Sequence, residues 1–390
     1  MNENRFNIAI LSCSPDDWGG SEDLWARSVP ILRDHNCGIT VYKNNINFSH
    51  PEMVTLTGHG VRLVPLTTHI SFGKRVIRKL RSTILKEPVH NLLATSGLPK
   101  KFGRHLRTNR PDLAIIIQGI NFDGLEYAFE CFRLKIPYVL FANKGVDFYW
   151  PSHAHRTEMR RVLQSAKKCF FSSKHNLTLT EEQFGFRFSN AEILWNTIKL
   201  SRTPLPFPTD DKTIKLACVA RLFIIDKGQD MLFRILSREP WRSRNIEVSL
   251  IGKGVDEAGL KDMATLLNLH NVKFLGQQKD ISEIWKTHHA LILPSRSEGL
   301  ALSLIEAMAA GRPAITTKSG GHAEVIEHGV NGFICDIAEG PFEECMEQAW
   351  QLRSKWEEIG KKANDFVNKN IPEQPEKEFA LSIIKLLHED

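Results

Sequence analysis

Residues 293–333 read LPSRSEGLALSLIEAMAAGRPAITTKSGGHAEVIEHGVNGF. A short apolar run ends at Pro294, and residues 295–299 make a polar turn. From about Leu300 to Ala310 the apolar residues recur at helical spacing. Gly311 and Pro313 stop the helix, a second apolar run follows at 314–316, and Gly320-Gly321 turns the chain again. Strand, turn, helix and strand in about 40 residues make one unit of a parallel α/β sheet.

The same rhythm extends outward in both directions. Short apolar runs stand at 215–220, 248–251, 272–275 and 290–294, with helical stretches between them. The first half repeats it at 6–13, 113–117, 138–142 and 169–172. Two such sets predict an α/β protein of two doubly wound, Rossmann-like domains facing across a cleft. The joint falls at 200–212, where SRTPLPFPTDDK gathers three prolines among polar residues. The expected division is residues 1–200, residues 201–372, and a helix over 373–390. That helix carries Phe379, Ile383, Ile384 and Leu387 on one face, suited to docking on the first domain.

Composition agrees. With 390 residues, 42% apolar and 25% charged, the chain is too long for one core and too apolar for disorder. Its apolar runs are far too short to span a bilayer. The start, MNENRFNIAILSC, lacks a basic opening and a long apolar stretch, so it reads as a first buried strand rather than a secretory signal. Seven scattered cysteines without a CxxC pair fit a reducing compartment, and the expected location is the cytoplasm.

The net charge of +6 is unevenly spread. Residues 1–200 hold 27 Lys and Arg against 17 Asp and Glu, and the remainder hold 24 against 28. Residues 71–110 alone carry 11 basic residues and one acid, Glu87. Within 71–86, Phe72, Val76, Ile77, Leu80 and Ile84 stand at helical spacing among Lys74, Arg75, Arg78, Lys79 and Arg81. Such a helix either packs its stripe on the core or lies on an anionic membrane surface, where it could collect a lipid-linked acceptor. No aromatic interleaving suggests nucleic acid.

Candidate ligand residues lie where strands end. Gly19-Gly20 follows the first strand and opens a helix, with Ser21 as the expected N-cap. Glycines there let a phosphate approach free amides, although a plain tight turn is the commoner explanation. Arg221 and Lys227 follow the run KLACVA, six residues apart around RLFIIDKG. A planar fork and a point charge suit a diphosphate, and a solvated loop pair explains the spacing equally. Glu298 is expected at the start of the helix after Pro294, with Glu306 eight residues on. Eight helical residues rise ~12 Å, the reach from a ribose to a hexose across a diphosphate. Acids are common enough that this interval alone carries nothing; the placement carries the argument.

Residues 215–333 resemble the C-terminal domain of retaining, metal-independent GT-B glycosyltransferases, specifically glycosyltransferase family 4. The matching stretches are VARLFIIDKG, LIGKG, VKFLGQQKDISEIW, LPSRSEGLALSLIEAMAAGRPAITT and GGHAEVIEHGVNGF. The first half matches only in outline, at Gly19-Gly20, PYVLFA and AKKCFFSSKHN. The resemblance implies a nucleotide-sugar donor, with a uridine diphosphate sugar favoured. Arg221 and Lys227 would hold the diphosphate, Glu306 the ribose and Glu298 the sugar hydroxyls. The amides of Gly299, Leu300 and Ala301 would complete the donor pocket. The loop of Gly276, Gln277, Gln278 and Lys279 would face the base, and Gly19 and Gly20 would close on the diphosphate from the other domain.

One departure stands out. Many family members carry His, often His-Asp, after the strand that here reads PYVLFA, and this chain has Asn143-Lys144. Asn143 can hydrogen-bond a sugar hydroxyl but cannot titrate near neutrality. His153 and His155 nearby are either acceptor contacts or surface residues. No DxD motif is present, since Asp16-Asp17 and Asp210-Asp211 are adjacent pairs. No metal or other cofactor is therefore expected. Cations and helix ends would stabilise the departing diphosphate, with retention by front-face attack and Arg221, Lys227 and Glu298 at the reacting centre. The expected function is transfer of a sugar to a glycan, glycolipid or other hydroxyl acceptor. A catalytically silent nucleotide-sugar-binding homologue and a GT-B sugar epimerase are the alternatives.

Overall fold

The computed structural model describes residues 6–67, 97–209 and 212–389. The basic segment 71–86 and the pair Asp210-Asp211 lie outside the described residues. The chain divides into two compact units. One comprises Met1–Ser172, Asn176–Asn196 and Gln374–Asp390; the other comprises Ser173–His175 and Thr197–Glu373.

Among its described residues the first unit is a seven-stranded parallel sheet. Its strands are β1 (Phe6–Ser12), β2 (Cys37–Lys43), β3 (Arg62–Pro65), β4 (Leu113–Gln118), β5 (Tyr138–Ala142), β6 (Lys168–Phe171) and β7 (Ala191–Ile193). They lie in the order β3-β2-β1-β4-β5-β6-β7. Side chains of one strand point alternately to the two faces, and both faces are covered. Ala9 and Leu11 of β1 join Ala114 and Ile116 of β4 in one core. Ile8 and Ile10 join Leu113, Ile115 and Ile117 in the other. A sheet buried on both sides needs near-continuous apolar strands, and β4, LAIIIQ, is buried at every position.

The helix Pro375–His388 belongs to this unit. Phe379, Ala380 and Ile383 are fully buried, and Ile384 and Leu387 pack partly buried on the same core. The Phe379 ring sits 5.5 Å from Phe170 and 6.3 Å from Phe141. Burying one such ring is worth roughly 1.5–3 kcal/mol.

The second unit continues with β8 (Ile214–Val219), β9 (Ile246–Ile251), β10 (Val272–Gly276), β11 (Ala290–Leu293), β12 (Ala314–Thr317) and β13 (Phe333–Cys335). They form a parallel sheet in the order β10-β9-β8-β11-β12-β13. The division between units falls after Asn196, a few residues before the proline-rich stretch. Hydrogen bonds explain why that stretch goes with the second unit. Arg202 donates to the Ile371 and Pro372 carbonyls, and the buried Arg312 donates to those of Leu205 and Pro206. All seven cysteines are free thiols. Among the described residues no helix is long and apolar enough to cross a membrane.

Candidate functional site

Sheets ordered 3-2-1-4-5-6 open a crevice outside the carboxyl ends of the first and fourth strands, because the chain leaves these neighbours in opposite directions. In the second unit those strands are β8 and β11, which pair directly. The loops leaving them span residues 220–228 and 294–301.

The two loops are stitched together. A single helical turn, Ile224–Lys227, ends on Gly228 with a φ of 64°. A Cβ there would stand 2.1 Å from the Pro294 carbonyl oxygen, so only glycine permits this approach. The Asp226 carbonyl accepts the N–H groups of Arg296 at 2.7 Å and Ser297 at 3.0 Å. The Arg296 guanidinium forks onto Asp230 at 2.6 and 2.9 Å and also donates to the Ile224 carbonyl at 2.8 Å. Burial works to raise the Asp230 carboxyl, but Arg296 and Arg234 outweigh it and hold the group below its ordinary value.

This stitching brings two of the expected residues into contact. Lys227 Nζ lies 2.6 Å from Glu298 Oε2, with the side chains 13% and 8% exposed. Ser295 Oγ donates to Glu298 Oε1 at 2.8 Å. Burial pushes the Glu298 carboxyl up, yet the positive charge of Lys227 and the field of His322 bring it below its usual range, so it is ionised. His322 is fully buried, and burial drives its pKa down to about 4. Its Nδ1 lies 3.0 Å from Thr316 Oγ1 and 3.1 Å from the Thr317 carbonyl oxygen. The turn before it packs under Glu298. Gly320, with a φ of 56°, would place a Cβ 2.4 Å from the Glu298 carbonyl oxygen, and the Gly321 N–H donates to the Gly299 carbonyl at 2.7 Å.

Arg221 shares the first loop but not this setting. Its side chain is 58% exposed and stands 3.7 Å from Asp226 Oδ2. Glu306 is half-buried on the helix Leu302–Ala309. That helix starts later than expected, with Ala301 as N-cap in extended conformation. The Gly299 carbonyl is already taken by Gly321, and the first carbonyl to accept a helical bond is that of Ala301. Glu298 and the amides of Gly299, Leu300 and Ala301 thus belong to the loop, and the eight-residue helical rise does not separate Glu298 from Glu306. Gly276 closes β10 with a φ of 65°, Gln278 donates to the Leu275 carbonyl at 2.7 Å, and Gln277 and Lys279 are exposed.

In the first unit Gly19, not Ser21, is the N-cap of the helix Gly20–Asp34. Glu22, three residues on, accepts the Gly19 N–H at 3.1 Å and fixes the cap there. Glu22 also accepts from Ser12 Oγ at 2.9 Å and from Lys43 Nζ at 2.8 Å. This ion pair is sealed, with side chains 0% and 2% exposed. Asn143 follows β5 and its side-chain amide donates to the Gln118 carbonyl at 2.9 Å. His153 is exposed and His155 half-buried in the first turn of the helix His153–Ser165. Among the described residues no three His, Cys, Asp or Glu side chains gather to hold a metal ion.

Sequence reasoning passed over Ser295, His322 and the Arg296–Asp230 fork. Arg296 and Asp230 are 66 positions apart, and no local pattern joins them. His322 offered a signal, because it directly follows Gly320-Gly321 at the start of a short helix.

Residues 203–366 match the model of the family described as Glycosyl transferases group 1. An uncharacterized glycosyltransferase of Haemophilus influenzae is 26% identical over 246 residues, 62% of this chain and 67% of that protein. The N-acetyl-alpha-D-glucosaminyl L-malate synthase of Bacillus anthracis is 32% identical over 142 residues, 36% of each chain. The crystal structure of Anabaena HepE in complex with UDP-glucose superimposes with a TM-score of 0.73 at 18% identity, covering 98% of this chain and 100% of that one. Residues 203–366 thus resemble the glycosyl transferases group 1 domain, in a chain whose two parallel-sheet α/β units match the GT-B fold of glycosyltransferase structures.

Proposed function

We propose that this chain is a retaining, metal-independent glycosyltransferase that moves a sugar from a nucleotide diphosphate, a UDP-sugar by preference, to a hydroxyl of a glycan or glycolipid. The observation that carries the reading is the ionised Lys227–Glu298 pair at the β8/β11 crevice, inside the group 1 domain.

The chemistry follows from charge. As the bond from the anomeric carbon to the phosphate oxygen breaks, negative charge grows on the diphosphate. Lys227 supplies a point charge there, and Arg221, exposed on the same loop, supplies a planar fork. The acceptor oxygen bonds to the anomeric carbon on the face the diphosphate leaves, and its proton passes to the departing phosphate oxygen. Glu298 takes hydroxyls of the donor sugar and Glu306 those of the ribose. The amides of Gly299, Leu300 and Ala301 face the donor, and the loop of Gly276, Gln277 and Gln278 faces the base. UDP-glucose in the Anabaena HepE structure supports a UDP-sugar in a fold of this kind.

Turnover of radiolabelled UDP-sugars by Arg221→Ala and Lys227→Ala, with and without EDTA, tests the reading. Loss of transfer in both variants and no effect of EDTA are expected. Near wild-type rates in both would overturn the charge-stabilising role. A wild-type protein that binds donor but neither transfers nor hydrolyses it would be the silent homologue instead.

A further inference from the structure

His322 is an unusual residue to bury completely beside an ion pair. Its Nδ1 faces the Thr317 carbonyl oxygen, which can only accept, so the proton sits on Nδ1. Nε2 is then a bare acceptor. It is buried and has no hydrogen-bond partner among the described residues. The hydroxyls of Ser297 and Ser319, on the same two loops, are buried and unpartnered too. Buried polar atoms left without partners are rare in native proteins, and several of them on two packed loops call for an explanation.

We infer that Glu298 and His322 Nε2 form a paired acceptor site that reads two neighbouring hydroxyl groups of the donor sugar. This rests on the glycosyltransferase reading and specifies which sugars that same site accepts. Without donor, Lys227 occupies Glu298 Oε2. A diphosphate carries more negative charge than the carboxylate and draws the ammonium to itself. The carboxylate is then uncovered, and the turn that carries His322 packs against the backbone of Glu298 and Gly299. Two acceptors carried on packed turns, one charged and one neutral, match the two O–H donors of a vicinal diol. The backbone contacts of Gly320 and Gly321 with Glu298 and Gly299 hold the two acceptors in fixed register. A sugar deoxygenated or acylated at either hydroxyl leaves one acceptor unpaired and is rejected.

The test is calorimetric binding of UDP, UDP-glucose, UDP-galactose and UDP-N-acetylglucosamine to the full chain. His322→Leu removes the acceptor, and His322→Gln restores one. With the best-bound sugar nucleotide, His322→Leu is expected to lose about tenfold in affinity while UDP binding is unchanged, and His322→Gln to regain most of it. A matching loss is expected when the wild type meets deoxy analogues of that donor, and none when His322→Leu meets the analogue lacking the hydroxyl His322 reads. Equal losses for UDP and sugar nucleotide, or no loss in His322→Leu, would overturn the inference. If His322→Leu does not fold, the analogue series on the wild type decides: fewer than two sensitive hydroxyls, or two that are not neighbours, sinks it. If the wild type binds no sugar nucleotide better than UDP, the donor reading itself fails, a result distinct from the others.

Discussion

The two units share a strand order around their switch points, yet use an acid–base pair there in opposite ways. In the first unit Glu22 and Lys43 are sealed from solvent, and Glu22 is saturated by Lys43, Ser12 and the Gly19 amide. In the second, Lys227 and Glu298 remain partly reachable, and the same loops carry buried polar atoms without hydrogen-bond partners among the described residues. A completed pair anchors backbone, here the turn at Gly19-Gly20. An incomplete one can exchange partners with a ligand. The same topology thus yields a scaffold in one unit and an exchangeable contact in the other, and the difference lies in what the surrounding loops leave unsatisfied.

The largest effect expected is on the sealed pair. Lys43→Ala strands a buried carboxylate and should cost about 3–5 kcal/mol in denaturant unfolding, whereas Lys43→Met combined with Glu22→Gln should be nearly neutral. Equal losses in the two proteins would break the contrast. Next, Lys227→Ala should lower transfer by about 10²–10³ in kcat, as removal of one charge-stabilising donor does elsewhere. If this variant loses fold stability while a properly folded fraction keeps full activity, Lys227 is scaffold like Lys43. Third, Glu298→Gln should weaken UDP-sugar binding about tenfold and leave UDP binding intact, as titration calorimetry would report.

The smallest effect is a pair of opposed pH slopes. Burial raises the Glu22 carboxyl above its ordinary value of 4.5, with Lys43 only partly opposing it. The folded state then binds the proton more tightly, and this group's contribution to stability falls as pH rises above 4.5 toward its folded value. Glu298 is lowered, so its contribution is present above 4.5 and fades as pH falls through its folded value. His322 sits at about 4 against an ordinary 6.5, and its share is lost as pH drops between those values. Stability curves of Glu22→Gln, Glu298→Gln and His322→Leu should each lose a slope of the stated sign. Slopes of one sign for Glu22 and Glu298 would remove the distinction.

The sequence carried the central strands best. LAIIIQ and ALIL, buried throughout, are apolar at nearly every position and stand between helical stretches in a strand–helix alternation. The strand CGITVYK was missed because polar Thr40 and Lys43 break its run. Lys43 points inward only because Glu22, 21 positions away, receives it. β3, β7 and β13 are short edge elements of three or four residues, below the length at which periodicity speaks. At the site, Lys227 and Glu298 were legible as types placed at strand ends. Their mutual contact was not, since it depends on Gly228 reaching Pro294 and on Arg296 reaching Asp230, both long-range events. The late helix start at Leu302 was hidden for the same reason: a carbonyl 22 residues upstream of Gly321 is captured by its amide before the helix can use it.

The return of residues 374–389 to the first unit has a consequence for biosynthesis. A ribosome makes β1 first and Phe379 only after the whole of the second unit has emerged. Until then Phe141 and Phe170 lack the ring that covers them, and the face formed by Ile8 and Ile10 stays partly bare. The order of completion is therefore inverted. The unit translated second can close as soon as it is made, while the unit translated first waits with exposed apolar surface, the interval in which a nascent chain most needs a chaperone.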